Sequence, residues 1–179
     1  MKCTGILIHE HKIILRALNV LDAMAKKAQS GELPAKEDVS ALLEFLNSFA
    51  DGLHQGKEES VLFPVFMGAC DKSEIDAVRH MVFEHNQERS LVEGMQEALM
   101  TKTGLNFAHY ARRLVEILRN HIYKEDHILF EMVDKTLTKE EDARVVAGFD
   151  SYDRGLGVAY NDLLRRLREL EWKYLGKAA

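Results

Sequence analysis

Helix breakers are scarce in this chain: two prolines and eleven glycines among 179 residues. Alternating β-branched runs are few as well, so the composition predicts helix rather than sheet. Cysteine is equally sparse. Cys3 and Cys70 are too few and too far apart for a disulfide framework or a thiolate zinc site. Basic residues are not in excess; the net charge of −5 leaves no stripe to neutralise phosphates, which excludes nucleic acid as a partner. No apolar run approaches the ~20 residues needed to span a bilayer, so no membrane association is expected. The N-terminal segment meets Lys2, His9 and Glu10 around a short apolar patch, unlike a signal peptide, and the expected location is the cytoplasm. With 46% hydrophobic and 30% charged residues the chain has the makings of an ordinary core.

What is present is a repeated stretch. His54-Gln55-Gly56-Lys57-Glu58-Glu59-Ser60-Val61-Leu62-Phe63 returns 67 positions later as His121-Ile122-Tyr123-Lys124-Glu125-Asp126-His127-Ile128-Leu129-Phe130. A histidine and a glutamate four apart share one helix face, with Cβ atoms about 5–6 Å apart. Two such pairs on two helices of one bundle can aim four ligands at one point.

The spacing of apolar residues places these pairs on buried faces. A first helix is expected from about Thr4 to Gln29, with the seam Leu7, His11, Ile14, Leu18, Leu21 and Ala25. A second runs from Ala35 or Lys36 to the boundary at Leu62-Phe63-Pro64. Its seam is Val39, Leu42, Leu43, Leu46, Phe49, Ala50 and Leu53, continuing through His54, Glu58, Val61 or Leu62, and Val65. Gly52 and Gly56 lie inside it at a cost of ~1 kcal/mol each relative to alanine, which suggests a close approach. The third, opening at Ser73 with an acid three positions on and ending near Thr101, has the seam Ile75, Val78, Val82, His85, Arg89, Val92 and Leu99. The fourth, from about Asn106 to Lys135, reads Phe107, Tyr110, Leu114, Leu118, His121, Glu125, Ile128 and Met132. Thr138 and Glu141 form a capping-box signature for a further helix, interrupted near Gly155 and Gly157, and an amphipathic segment follows.

The fold expected is therefore all-α, with an antiparallel up-down four-helix bundle over residues 1–136. Residues 137–179 are expected as a helical extension packing on the bundle or at a homodimer contact. A metal-free core of this kind would bury two carboxylates of like charge with only Arg89 in phase, at several kcal/mol each. A pair of divalent cations removes that cost, since imidazole and carboxylate are their natural ligands. If Glu58 and Glu125 each bridge, one ion takes His11 and His54, and the other His85 and His121. With no thiolate in the set, iron suits the site best, with manganese or zinc behind it. Open positions remain for water, an oxo or hydroxo bridge, or a small ligand. Glu59 and Asp126 lie ~100° off the seam, where they serve as partners of ligands or as solvated acids.

Glu10-His11, His54 to Glu59 with Leu62-Phe63-Pro64, Glu84-His85, and His121 to Asp126 with Leu129-Phe130 resemble the hemerythrin-like (HHE cation-binding) family over about residues 5–135. The resemblance implies a four-helix bundle holding a non-haem di-iron centre, its two iron ions bridged by two carboxylates. The ligands it implies are His11, His54, Glu58, His85, His121 and Glu125. Oxygen-carrying members have a fifth histidine one turn before that of the third helix. Met81 occupies that place here and His80 misses it by one position, so a more open site is implied.

The first function expected is binding or sensing of O₂, NO or reactive oxygen species, the partner being a small diatomic ligand or peroxide. Other readings are an enzyme turning over peroxide or NO, with Glu59, Asp126 or Tyr123 as proton donors, an iron donor for iron–sulfur repair, and a metal-free helical interaction module.

Overall fold

A sequence with so few helix breakers folds as helix over most of its described residues. The computed structural model describes residues 1–176, where contiguous helical segments join into six rods. These are α1 Cys3–Gln29, α2 36–69, α3 Lys72–Met100, α4 104–136, α5 Lys139–Leu156 and α6 Tyr160–Leu175. Short connections turn each of the first four back against its predecessor, giving an antiparallel up-down bundle. Among the described residues no helix is long and apolar enough to cross a membrane.

The seam of α1 is buried as its four-three spacing requires, from Leu7 through His11 to Ala25. The start of α3 lies slightly upstream of the expected Ser73. Asp71 is its N-cap, accepting from the amides of Ser73 and Glu74, while Glu74 Oε2 accepts from the Asp71 amide. Thr138 and Glu141 cap α5 in the same reciprocal way.

Two helices depart from the α period at the repeated motif. In α2 the turns at Leu46–Gln55 and Glu58–Leu62 are π-helical, as is Glu125–Leu129 in α4. A π turn holds an extra residue, which rotates everything beyond it by about 100° relative to a straight α-helix. Leu62, Phe63 and Phe66 are therefore buried while Val65 moves to the flank. In α4, Leu129, Phe130 and Val133 replace the expected Ile128 and Met132, and Ile128 is 54% exposed. The helix also runs on through Pro64 to Ala69 instead of ending there. The π turn closes at Leu62, so Pro64 takes the second position of a new α segment, where its missing N–H is tolerated.

The interior has three layers. A large apolar cluster around Ile14, Leu18, Phe49, Leu53, Val92 and Leu118 fills one part of the bundle. A smaller one around Leu7, Phe63, Phe66, Met81, Leu129 and Phe130 fills the other. The motif histidines and glutamates lie in sequence between the two sets, on all four helices.

The C-terminal helices lie on this bundle. Helix α5 crosses α2, with Tyr152 over Gly56 and Gly148 against Val61. A Cβ on Gly56 would fall 2.0 Å from Tyr152 Oη, and one on Gly148 2.5 Å from Val61 Cγ1. The Tyr152 hydroxyl donates to the Gly52 carbonyl at 3.0 Å. Helix α6 buries Leu163, Leu167 and Leu170 and receives Arg16 of α1 as a two-pronged donor to the buried Glu171 (2.8 and 2.7 Å). The Gly56→Ala substitution should accordingly destabilise the protein by about 1–3 kcal/mol through overpacking, although the same change in an open helix stabilises by ~1 kcal/mol. Adding Tyr152→Ala should remove most of that loss. Chemical denaturation of the single and double variants checks both.

Candidate metal centre

Each helix of the bundle brings one seam histidine to the same layer. His11, His54, His85 and His121 are at most 2% exposed, and Glu58 and Glu125 are fully buried. The imidazoles form two pairs, His11 with His54 and His85 with His121, with ring centroids 4.5 and 4.7 Å apart. Glu58 Oε1 is 3.6 Å from His54 Nε2, and its Oε2 is 3.5 Å from His85 Nε2. Glu125 Oε2 is 3.1 Å from His11 Nε2, and its Oε1 is 3.2 Å from His121 Nε2. Each carboxylate thus turns one oxygen towards each imidazole pair. Donor atoms of His11, His54, Glu58 and Glu125 lie within 4.8 Å of one another, as do those of His85, His121 and Glu125.

The outer nitrogens are held by a ring of carboxylates, each from the preceding helix. Glu10 of α1 meets His54 Nδ1 of α2 (3.0 Å), and Glu59 of α2 meets His85 Nδ1 of α3 (2.7 Å). Glu84 of α3 meets His121 Nδ1 of α4 (2.8 Å), and Asp126 of α4 meets His11 Nδ1 of α1 (2.6 Å). An ionised carboxylate only accepts, so each Nδ1 carries a proton and the Nε2 atoms face inward, those of His85 and His121 sharing a hydrogen bond at 3.0 Å. Two lysines of the motif brace this ring: Lys57 on Glu10 and Lys124 on Glu84. The closing phenylalanines of the motif stack on imidazoles, Phe130 on His11 and Phe63 on His85.

Several details differ from the sequence spacing. Arg89 is not the only cation near the site, since Lys57 and Lys124 are there too. Lys57 is fully buried because α5 covers its flank, with Phe149 5.6 Å below the ammonium and Asp153 at 3.4 Å. Arg89 sits beside the seam, paired with Asp51 and Glu59 at 2.7 Å each. The buried face of α3 is Val78, Met81, His85, Glu88, Val92, Met95 and Ala98, so Glu88 takes the place expected for its neighbour. Gln55 donates to Glu88 at 2.5 Å, and burial pushes the Glu88 carboxyl up to about 7. His80 stays outside, 57% exposed and 3.2 Å from Glu84, because α3 is α-helical throughout. His9 and Tyr123 are also exposed. Glu10 and Glu84 were visible in the sequence only as the acid preceding a seam histidine.

The unpaired atoms test whether this donor set fits a metal. His11 Nε2 and all four oxygens of Glu58 and Glu125 are buried without a hydrogen-bond partner. The 3.1 Å approach of His11 to Glu125 is close but not aligned as a hydrogen bond. Burial and the charge of Glu125 push Glu58 well above the usual carboxylate range. Burial opposes ionisation of Glu125 too, yet His121 and His11 hold it well below that range. Each imidazole pair is split. Burial and the charge of His11 lower His54 to about 4, while Asp126 and Glu125 outweigh burial and raise His11. Burial lowers His85, while Glu125 and Glu84 outweigh it at His121, which is raised. In each pair the imidazole nearer Glu125 is thus favoured in its charged form, a compensation a cation supplies more completely. Imidazole nitrogen with carboxylate oxygen and no sulfur suits iron, manganese or zinc.

A four-helix bundle with two imidazole pairs joined by two carboxylates in its dry interior is the architecture of bundle-core metal-binding proteins. The chain belongs to the hemerythrin HHE cation binding domain family, whose model matches residues 4–133. No curated protein and no solved structure matches the chain.

Removing an outer carboxylate frees an imidazole to rotate and lowers its basicity. Glu59→Ala and Asp126→Ala should each weaken metal binding by about 10–100-fold at unchanged stoichiometry, measured by competition with a chromophoric chelator. Glu88 makes a pH-dependent contribution. Its carboxyl keeps a proton in the fold up to about pH 7, whereas in the unfolded chain it ionises near 4.5. The folded state binds more protons in that window, so stability falls as pH rises through it. Glu88→Gln titrates in neither state. The metal-free variant should match wild type at pH 4 and exceed it above pH 7 by on the order of 3 kcal/mol in denaturant titrations.

Proposed function

We propose that the chain holds two iron ions in this layer and binds or senses O₂, NO or reactive oxygen species there. His11 and His54 would hold one ion and His85 and His121 the other, with Glu58 and Glu125 each giving one oxygen to both. The observation that carries this reading is the set of five buried donor atoms without partners, arranged as two imidazole pairs spanned by two carboxylates. Bound iron supplies reversible redox chemistry towards diatomic ligands and peroxide.

The protein's own part is orientation and exclusion of water. Four outer carboxylates hold the Nδ1 protons, which turns every Nε2 towards the interior of the layer. Phe63 and Phe130 flatten against His85 and His11, and Leu62, Met81 and Leu129 extend the same apolar wall. Such a wall admits small neutral molecules and disfavours ions. Met81, buried at the position where oxygen carriers of the resembling type place a fifth histidine, adds no strong donor and supports a site open to a small ligand.

Elemental mass spectrometry of protein from iron-replete cells tests the reading. About two iron per chain are expected for a bundle-core pair, with loss of both in Glu58→Ala/Glu125→Ala. Ferrous iron added anaerobically at 100 times its Kd should stabilise the wild type by ~2.7 kcal/mol for each of the two sites filled and leave the double variant unmoved. Changes in the absorption spectrum on exposure to O₂, NO or peroxide identify the ligand. Zinc or manganese in place of iron overturns the redox reading, and absence of stoichiometric metal overturns the centre.

A further inference from the structure

The site has an internal two-fold repeat. His121 follows His54 by 67 positions and His85 follows His11 by 74. Seam histidines, outer carboxylates, lysines and stacked phenylalanines all obey it. One group of residues does not. Between α2 and α3, and closed off by Leu114 and Leu118 of α4, a narrow cleft holds about 20 Å³ of space, room for one water; Asp51, Gln55, Glu88 and Arg89 stand in its otherwise mostly apolar lining. By the repeat, the equivalent positions on α4 and α1 are Leu118, Ile122, Ile14 and Leu15, all aliphatic, and Leu118 itself reaches this cleft. Aliphatic side chains fill the same architecture there, so the fold does not require polar groups at these places.

The polar set is also graded in depth. Asp51 and Arg89 stand at the mouth, 38% and 30% exposed. Gln55 and Glu88 form the floor, each 3% exposed. Glu88 Oε1 lines this cleft buried and without any hydrogen-bond partner. Glu88 lies one helical turn beyond His85 on the same buried face of α3, and Gln55 directly follows His54, which places the floor next to the histidine layer. Arg89 bridges Asp51 and Glu59 at the entrance.

We propose that this cleft is the passage by which a divalent cation enters and leaves the centre. Asp51 takes the ion from solvent, Glu88 and Gln55 carry it through the interior, and Arg89 occupies the mouth in its absence. The proposal rests on the metal reading of the centre. A neutral diatomic molecule crosses an apolar interior unaided, whereas a cation shedding its water needs oxygen donors at each stage. Within its apolar lining the cleft supplies two carboxylates and an amide, at positions whose equivalents on α4 and α1 are aliphatic.

Loading of the metal-free full-length protein with ferrous iron, followed anaerobically by stopped flow, tests this together with release to a strong chelator. Glu88→Gln and Asp51→Asn should each slow both loading and release by about tenfold or more at unchanged final stoichiometry, and Arg89→Gln should speed both. Slower loading with faster release marks a loss of affinity alone and overturns the passage. Unchanged rates in Glu88→Gln overturn it as well, as does a lowered final stoichiometry, which would make Glu88 a ligand. A wild type that takes up no iron is a different result: it overturns the centre itself, and the passage with it.

Discussion

Two carboxylates in a dry interior are the constraint around which the bundle is built. Glu58 and Glu125 are fully buried and none of their four oxygens has a hydrogen-bond partner. Left alone, they would cost several kcal/mol each and repel one another. The surrounding residues answer that cost. Four imidazoles face the carboxylates, and in each pair one of them, His11 or His121, is shifted towards its charged form by Glu125 and an outer carboxylate. π turns begin at Glu58 and at Glu125 themselves. The rotation they introduce swings Phe63 and Phe130 onto the imidazoles, where an unbroken α-helix would have sent them to the flank.

Around this layer runs a second circuit that closes on itself. Each helix passes a carboxylate to the histidine of the next, and the fourth returns one to the first. No helix can rotate or slide without disturbing two imidazoles. The circuit therefore ties the geometry of the site to the packing of the bundle. It also explains why Glu10 and Glu84 are tolerated at buried or nearly buried positions: each accepts from an imidazole and a lysine.

The C-terminal helices make the two halves of the site unequal. Lys57 is sealed beneath Phe149 and Asp153 of α5, while its equivalent Lys124 remains 30% exposed. Gly52 and Gly56, costly in a helix, are the surface on which Tyr152 rests. The side between α2 and α3 differs again, since Asp51, Gln55, Glu88 and Arg89 stand there at positions whose repeat equivalents on α4 and α1 are aliphatic. A symmetric histidine–carboxylate layer thus sits inside an asymmetric protein, with one flank covered by α5 and another carrying Asp51, Gln55, Glu88 and Arg89 around a narrow cleft.

The six residues singled out in the sequence are the ones the structure gathers into one layer. They were legible because a repeated His-x-x-Lys-Glu motif and a four-three apolar spacing are local properties of single helices. Helix number, order and most seams followed from the same local signals. Three things did not. The π turns were invisible because the choice between an i→i+4 and an i→i+5 bond is made by what the helix must bury, not by its composition. Burial of Lys57 depends on a helix some 90 residues further along the chain, and the role of Glu88 on facing Gln55 across a helix interface. By itself the sequence determined which residues share a helix face. Which faces meet, and which nitrogen of each histidine turns inward, was decided by tertiary structure, because only packing brings a carboxylate from one helix to the imidazole of the next.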